Sequence, residues 1–513
     1  MRKGSITPFC ALSLMLVASL LLALLESARF YGLERYALMK ADAAMDSVCA
    51  EYQPYLWQQY GLLFLDGAYG TEEFSMGYVM EQMGHYMEPN DTLGDRITNW
   101  LGVDLFRLEK EEILLAGYAL ATDDDGNLFL NYIAQRTKES MPLGMAEDLL
   151  VQYRQSAALE KEYGGMEGAI TKAKEAVGQA KAEWVARREE QIKQEIENGK
   201  RQDMTEQEEV IQPPDTSIID NLLDLAQQLR SESTLRLILG DLSDVPSDSC
   251  GLRESMHSRK KHEGTMYLNL DKDWYQKLLV MSYLESYFSD YISPKEEHLL
   301  RYEMEYVLCG KQTEMENLDG TLDRILLQRE AANMVHILAD SKKMMQIEEL
   351  ASLVAMLAGG NYGIAKAVEI GIAGVWAYAE SVLDVRALVR GEKIPLIKQE
   401  NEWTLGLDEL HRAWDKNMKA KMCMEGLTYT DYLKQLLFFT DNQKMAYRML
   451  EVMEMGMQTQ KEYENCRMDH MIVMLRFKVR FKGSPVFSEL ITAGESCWGN
   501  YFFSKEIERS YVP

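Results

Sequence analysis

The strongest hydrophobic pattern of the chain lies at its amino terminus. Residues 4–25 carry no charged side chain, and after residue 10 the run consists almost entirely of Leu, Ala, Val and Met. As a helix, these residues rise about 30 Å, which is the thickness of a bilayer core. The pattern therefore predicts a membrane anchor. Its representative positions are Ser5, Leu12, Leu16, Leu20 and Leu25.

Beyond this run the apolar residues recur every three or four positions. These positions are Leu33, Ala37, Ala41, Ala44 and Val48. This period is typical of one face of an amphipathic helix, and no Gly or Pro interrupts residues 33–53. The pattern predicts one continuous helix of about 45 residues. Two hypotheses remain for its apolar face: it docks on partner helices, as in a pilin-like spine, or it packs on the head of the same chain.

A cleaved signal peptide is the alternative interpretation of the amino terminus. It requires a shorter apolar run followed by a small-x-small site, and residues 23–25 and 26–28 both fit that site poorly. The uncleaved anchor is therefore favoured. Arg2 and Lys3 on the short side predict a cytoplasmic amino terminus, with the bulk of the chain on the extracytoplasmic side of the cell membrane.

Strand patterns occur in three distant regions of the remaining chain. Residues 103–137 favour a β-hairpin that leads into a helix, with apolar runs at 113–121 and 128–133 around an Asp-Asp-Asp-Gly-Asn turn. Residues alternate between apolar and polar at 302–308 and at 475–481, which predicts two further strands. We expect these strands to pair in one small antiparallel sheet with helices packed on it.

Helical patterns cover most of the other segments. Residues 145–210 and a second helix after the Pro-Pro pair at 213–214 predict a helical hairpin. The hairpin either projects from the head as an arm or packs flat on it. Residues 318–338 and 364–389 predict two more helices. The longest uncharged run of the latter, residues 370–379, is too short for a second membrane span, so a core helix is favoured.

The fold class that these patterns predict is α+β and mostly helical. A basic triplet at 259–261 lies in a segment rich in Ser, Asp and Gly, and we expect that segment to be mobile and the triplet to be solvated. Five segments follow: an anchor and spine helix at 1–60, the first part of an α/β head at 61–144, a helical-hairpin arm at 145–240, a mobile loop at 241–265 and the second part of the head at 266–513.

The net charge of the chain bears on which partners it could bind. The 81 acidic residues outnumber the 55 basic residues and give a net charge of −26. Nucleic acid is therefore not an expected partner. The seven cysteines include no Cys-x-x-Cys pair, so we expect mostly free thiols, with one disulfide as the alternative.

No motif in the sequence names a reaction. The chain lacks His-Glu-x-x-His, a phosphate-binding loop, a nucleophile elbow and a dinucleotide fingerprint. His257 and His262 share one loop and are the candidate metal pair, but we assign no metal, no cofactor and no catalytic residue. Glu303 and Glu305 are expected to face solvent on a strand. The protein is therefore not expected to be an enzyme.

Several segments of the chain resemble a known family. They are the stretch from KGSITPFC to LDGAYG (3–70), YEMEYVLCGK (302–311), ENLDGTLDRILLQREAAN (316–333), WAYAESVLDVRALVRGEKIPL (376–396) and GLTYTDYLKQLLFF (426–439). Together they resemble the domain of unknown function 5702 family, whose members are bacterial membrane-anchored proteins. The region from about residue 140 to residue 265 carries no segment that resembles this family.

The resemblance implies a layout similar to TadE/TadG-like pilus-associated proteins. It implies a single-pass extracytoplasmic structural component that is pilin-like or associated with tight-adherence-type pilus assembly. Its partners would be the lipid bilayer and other pilin-like or pilus-assembly membrane proteins.

Two features depart from the pilin pattern. The fifth residue after Gly4 is Phe9 rather than Glu, so prepilin-type processing is not expected, and no Asp-x-Ser-x-Ser adhesion signature is present. The alternatives to a pilus role are a solitary surface scaffold or ligand-binding protein, and an extracytoplasmic hydrolase.

Overall fold

The computed structural model describes residues 6–87, 106–198, 212–268, 270, 273–487 and 499–512. The chain forms two compact units that alternate along the sequence. We call them the sheet unit, which comprises residues 1–136, 254–272 and 453–513, and the helical unit, which comprises residues 137–253 and 273–452. The fold is α+β and mostly helical, as the sequence predicted.

The sheet unit combines a long amino-terminal helix with a small antiparallel sheet. Its helices and strands, in chain order, are α1 (Ile6–Cys49), α2 (Pro54–Tyr60), β1 (Leu65–Asp66), α3 (Met76–Tyr86), β2 (Leu108–Leu120), α4 (Asn127–Thr137), β3 (Met471–Gly483) and β4 (Tyr501–Ser510). The strand β3 is central, because β1, β2 and β4 all pair with it in antiparallel fashion.

The alternation in β3 explains how the sheet acquires one apolar face. Leu475, Phe477, Val479 and Phe481 are buried, while the basic residues between them lie on the more exposed face. Successive strand residues point to opposite faces of a sheet, so this pattern places one row of side chains in the core. The strand predicted at 475–481 is confirmed.

The helical unit consists of helices packed around a buried central helix, α13. The helices are α5 (Leu143–Tyr163), α6 (Glu167–Glu197), α7 (Ser217–Ser231), α8 (Thr234–Leu239), α9 (Trp274–Tyr287), α10 (Glu303–Cys309), α11 (Glu314–Ala339), α12 (Ser341–Leu357), α13 (Tyr362–Leu388), α14 (Tyr429–Phe438) and α15 (Asn442–Gln458), the last of which continues into the sheet unit. Short 3₁₀ helices lie at Asp124–Gly126, Lys138–Ser140, Glu400–Glu402, Leu407–Trp414, Lys461–Tyr463 and Met468–His470.

Close packing of α6 on α13 depends on a glycine. A Cβ at Gly371 would overlap the Cβ of Ala173, so the two helices approach at a point where neither carries a large side chain. Every residue from 371 to 388 in α13 is buried, which confirms a core helix in the region predicted at 364–389. The predicted helix at 318–338 is confirmed within α11.

The predicted helical pair exists, but it does not project as an arm. Lys174 of α6 pairs with Asp224 of α7, and Lys181 pairs with Asp220, which is the order of an antiparallel pair. Both helices also pack on α13 within the helical unit. Flat packing, the second of the two alternatives, therefore describes α6 and α7; residues 199–211 of the predicted arm lie outside the described residues.

Residues 302–308 do not form the predicted strand: Tyr302 precedes α10, and residues 303–308 lie within it. All seven residues are buried, the acidic ones as well as the apolar ones. The alternation of apolar and polar residues therefore does not mark a buried and an exposed face, and it cannot identify a strand. The expectation for the acidic pair is also wrong, because Glu303 and Glu305 lie inside the unit rather than facing solvent.

The predicted hairpin at 103–137 is half correct. The turn is confirmed, since Asp124, Asp125 and Gly126 have φ values of 51°, 55° and 79°. The run at 128–133, however, belongs to helix α4, and β2 pairs with β3 instead.

The segment predicted to be a mobile loop contains buried side chains. Cys250, Met256 and Arg259 are all buried, and Arg259 forms ion pairs with Glu454 and Asp469. The expectation that the basic triplet is solvated is therefore wrong at Arg259. The guanidinium requires buried acidic partners, and these come from a part of the chain about two hundred residues away.

Candidate membrane anchor and buried polar clusters

The first half of α1 is an exposed apolar surface. Leu12, Leu16, Leu20 and Leu25 are 50–68% exposed; Ser5 lies outside the described residues. Among the residues that the structure describes, α1 is the helix that is long and apolar enough to cross a membrane, by length and composition. An apolar surface of this size is costly in water and is typical of a membrane or protein contact.

The second half of α1 is built into the sheet unit. The five positions of the predicted apolar face are Leu33, Ala37, Ala41, Ala44 and Val48, and each is 0–2% exposed. They share one core with Phe477 of β3 and Phe503 and Ile507 of β4. The small alanine side chains allow the helix to lie close to the strands. This placement corrects the expectation that the face docks on partner helices, because the chain's own sheet already covers it.

Charged groups flank this apolar contact. Lys505 Nζ donates to Asp42 Oδ2 at 2.5 Å, and Arg509 Nε donates to Asp46 Oδ1 at 2.7 Å. The hydrogen bond from Lys505 lowers the pKa of Asp42 below its usual value. These ion pairs join β4 to α1. Because the groups are partly exposed, the pairs add little to the free energy of unfolding.

A buried carboxylate marks the boundary between the two halves of α1. Glu26 is 6% exposed. Its Oε1 accepts from Arg29 Nη1 at 2.8 Å, and its Oε2 accepts from the backbone N–H groups of Val486 at 3.0 Å and Phe487 at 2.6 Å. Arg29 Nη2 also donates to the Phe106 carbonyl at 2.8 Å. Sequence reasoning identified Glu26 as the end of the apolar run but not as a link to the segment after β3.

A second candidate site, a cluster of two histidines and one aspartate, lies elsewhere in the sheet unit. Among the described residues, His262, Asp469 and His470 place one potential ligand atom each within 4.8 Å of one another. His262 is exposed, whereas Asp469 and His470 are buried in the 3₁₀ helix before β3. The two imidazole rings are T-shaped with centroids 5.2 Å apart. Burial lowers the pKa of His470 to about 4, so its ring is neutral at neutral pH.

Two arginines contact the aspartate of this cluster. Arg259 Nη2 donates to Asp469 Oδ1 at 2.7 Å, and its Nη1 and Nη2 also reach the two carboxylate oxygens of Glu454 at 2.6 and 2.7 Å. Arg467 approaches Asp469 at 3.2 and 3.4 Å. The sequence pattern had paired His262 with His257, but the structure brings His262 to His470 instead. No local spacing signals that pairing.

The helical unit contains a closed network of charged side chains. Arg329 Nη2 donates to Asp384 Oδ2 at 2.9 Å, and Lys398 Nζ lies 2.5 Å from Glu380 Oε1 and 2.6 Å from Asp384 Oδ1. Tyr432 Oη accepts from Arg329 Nη1 at 2.9 Å. The side chains of the four charged residues are 0% exposed. The network therefore joins α11, α13 and α14 rather than presenting groups to a ligand.

A buried acid lies nearby in the same unit. Glu305 Oε1 accepts from the Tyr429 hydroxyl at 2.7 Å and from the Tyr291 backbone N–H at 2.9 Å. Burial, followed by the neighbouring charge of Asp290, raises the pKa of Glu305 to about 8. At neutral pH the protonated form therefore predominates, which lowers the cost of burying this side chain.

These two clusters explain four of the family-like segments recognised in the sequence. Glu305, Arg329, Asp384 and Tyr432 each come from a different one of those segments, at 302–311, 316–333, 376–396 and 426–439. Their side chains are directed into the protein interior. The segments thus carry the packing of the helical unit rather than an exposed site.

The fold and these sites define an α+β protein with a candidate amino-terminal membrane helix. Residues 213–483, more than half of the chain, match the model of the family of unknown function DUF5702. The chain belongs to this family. The matched range includes residues 213–265, where the sequence offered no recognisable motif, and does not extend to α1. No curated protein and no solved structure matches the chain.

Proposed function

We propose that this protein is a single-pass, membrane-anchored structural component whose head lies on the extracytoplasmic side. One observation carries the proposal: α1 is a continuous helix whose first half is apolar and exposed and whose second half forms part of the core of the sheet unit. A bilayer would cover the first half, and the shared helix would hold the sheet unit rigidly at the membrane surface.

The distribution of polar groups supports a structural role rather than catalysis. The charged network around Arg329 and Asp384 is closed to solvent, and its members contact one another. Such networks fix the arrangement of helices. A catalytic site instead needs titratable groups directed into a cavity that a substrate can enter.

Membrane anchoring is tested by extraction with alkaline carbonate. We expect the full-length protein to remain with the membrane pellet, and a variant with Leu16→Arg and Leu20→Arg to be released, since each charge at the bilayer centre costs roughly 3 kcal/mol. The matched control replaces two exposed leucines of the helical unit, Leu299 and Leu353, with Arg and should remain in the pellet. Release of the wild-type protein would contradict the anchor.

The orientation is tested by protease added to intact protoplasts. Arg2 and Lys3 favour a cytoplasmic amino terminus, so the head should be digested without lysis of the membrane. A tag placed at the amino terminus should be protected in the same sample. A head that resists protease until the membrane is lysed would reverse the proposed topology.

The finer form of the proposal is a pilin-like or pilus-assembly role. Because the Leu33–Val48 face is covered by the sheet, lateral contacts would use residues 6–25 of α1. Ser19 and Ala23, four residues apart, offer the small side chains that allow helices to approach closely in lipid. The partners would then be membrane helices of the same kind.

Cys10 provides a built-in reporter for that role, because it is exposed on the apolar half of α1. Oxidative cross-linking in native membranes should give a defined product through Cys10, and Cys10→Ser should abolish it. Ala23→Leu should reduce the yield if the small-residue face mediates contact. A protein that yields no Cys10-dependent product would favour the alternative, a solitary surface scaffold.

A further inference from the structure

We propose that His262, Asp469 and His470 form a divalent transition-metal site, with Zn²⁺ as the fitting ion. The three donors come from two distant parts of the chain, the segment at 254–272 and the 3₁₀ helix before β3. Binding would therefore tie that segment to the central strand of the sheet unit.

The donor set suits zinc. Two imidazoles and one carboxylate are a common set of protein ligands for Zn²⁺, and three protein ligands leave the fourth tetrahedral position open. Ligand atoms about 2.0–2.1 Å from zinc lie roughly 3.3 Å from one another, whereas the three donors are within 4.8 Å. His262 is exposed, so its ring is free to move towards the other two donors.

His470 supplies an independent indication of a missing ligand. The residue is 1% exposed, and its Nδ1 has no hydrogen-bond partner among the residues that the structure describes. Buried polar atoms in native proteins are nearly always satisfied by protein, water or an ion. The ring of Phe74 packs against His262 and His470, with centroid distances of 4.8 and 5.6 Å. This contact holds the two imidazoles side by side.

Asp469 is shared with two arginines, which affect the site differently. Arg259 is buried, and its charge is neutralised by the bidentate contact with Glu454. It therefore orients the Asp469 carboxylate and stays in contact with it. The Arg467 side chain is 32% exposed and lies 3.2 Å from Asp469. Arg467 therefore competes with the metal for the carboxylate, and its removal should strengthen binding.

The test is metal titration of the full-length protein in detergent after treatment with a chelator. Zn²⁺ binding is followed by calorimetry and by thermal melting, and Co²⁺ binding by visible absorption. We expect one equivalent to bind and to raise the melting temperature. His262→Gln should weaken binding by about tenfold or more, since it removes a direct ligand. His257→Gln, on the same segment but outside the cluster, should leave binding unchanged.

Arg467→Gln sharpens the test because it predicts a gain. Removing the competing cation should increase the affinity several-fold without removing any ligand. Equal Zn²⁺ affinity in the wild type and in His262→Gln would overturn the proposal, as would absence of binding by a folded wild-type protein. Loss of affinity in Arg467→Gln would contradict the competition between Arg467 and the metal for Asp469.

Discussion

The core around α1 and the core around α13 exclude water by different means. In the sheet unit, alanines and larger apolar side chains of α1 pack against one face of the β3–β4 sheet. In the helical unit, charged side chains of α11 and α13 lie fully buried and satisfy one another. We therefore expect the apolar contact to tolerate separate changes at its edges, and the charged network to depend on every member. Buried ion pairs contribute little net stability but are costly to break.

The largest effect should follow from breaking the charged network. Arg329→Met removes the buried arginine that donates to Asp384 and Asn333, and should lower the free energy of unfolding by about 3–5 kcal/mol. Urea unfolding in detergent, followed by tryptophan fluorescence, measures the change. Arg412→Met removes a partly exposed arginine and should change stability by less than about 1 kcal/mol. Equal effects at the two positions would remove the distinction between the two cores.

The second-largest loss of unfolding free energy should come from a larger side chain in the contact between α1 and the sheet. Ala41→Leu adds three carbon atoms where the wild-type side chain is fully buried, and should cost about 1–3 kcal/mol. Ala18→Leu makes the same change on the exposed half of the same helix and should leave the unfolding free energy unchanged. A similar loss for both variants would contradict the assignment of the two halves of α1.

Buried Glu305 should give the helical unit a pH dependence. Its folded pKa of about 8 exceeds the ordinary value, so the folded state binds more protons between about pH 4.5 and 8. The stability contributed by this group is present below pH 4.5 and is lost as the pH rises towards 8, by up to about 1.4 kcal/mol per unit. Glu305→Gln should remove that slope.

The difference between the wild-type and Glu305→Gln unfolding free energies, measured across pH 4.5–9, isolates this contribution from those of other acids. A difference that does not vary with pH would show that Glu305 is ionised in the folded protein. Asp42 behaves in the opposite way. Lys505 lowers its pKa in the folded state, so the stability that Asp42 contributes is lost as the pH falls.

The smallest effect should come from the rim of the helix–sheet contact. Lys505→Ala removes the partly exposed pair with Asp42 and should cost less than about 1 kcal/mol. Salt screens such pairs, so the difference from the wild type should shrink further at 1 M NaCl, a concentration at which the screening length is about 3 Å. A cost that persists at high salt would indicate that the stem of Lys505 contributes through packing.

Local pattern predicted several elements because their surroundings are one-sided. The first half of α1 is exposed all round and is apolar throughout. In β3 one row of side chains is buried and the other is more exposed, so hydrophobicity alternates along the strand. Residues 302–308 and the run at 128–133 failed for the opposite reason, since their side chains avoid water on nearly every side. A short segment buried all round shows no period that distinguishes a helix from a strand.

The candidate sites divide in the same way. The exposed apolar surface from Leu12 to Leu25 could be predicted from the uncharged run alone. The cluster of His262 with Asp469 and His470, and the link from Glu26 to Val486 and Phe487, could not, since each joins residues far apart in the chain. His262 was recognised as a possible ligand, but with His257, its neighbour in sequence, as the partner.

The sequence by itself determined that α1 is one helix with an apolar first half, that its second half has an apolar face, that β3 has one buried side and that α13 lies in a core. Tertiary structure decided that the face from Leu33 to Val48 meets the chain's own sheet, that Arg259 and Glu305 are buried, and that His262 lies beside His470. The physical reason is that hydrophobic periodicity records which side chains avoid water. It does not record which distant surface covers them or which distant charge they meet.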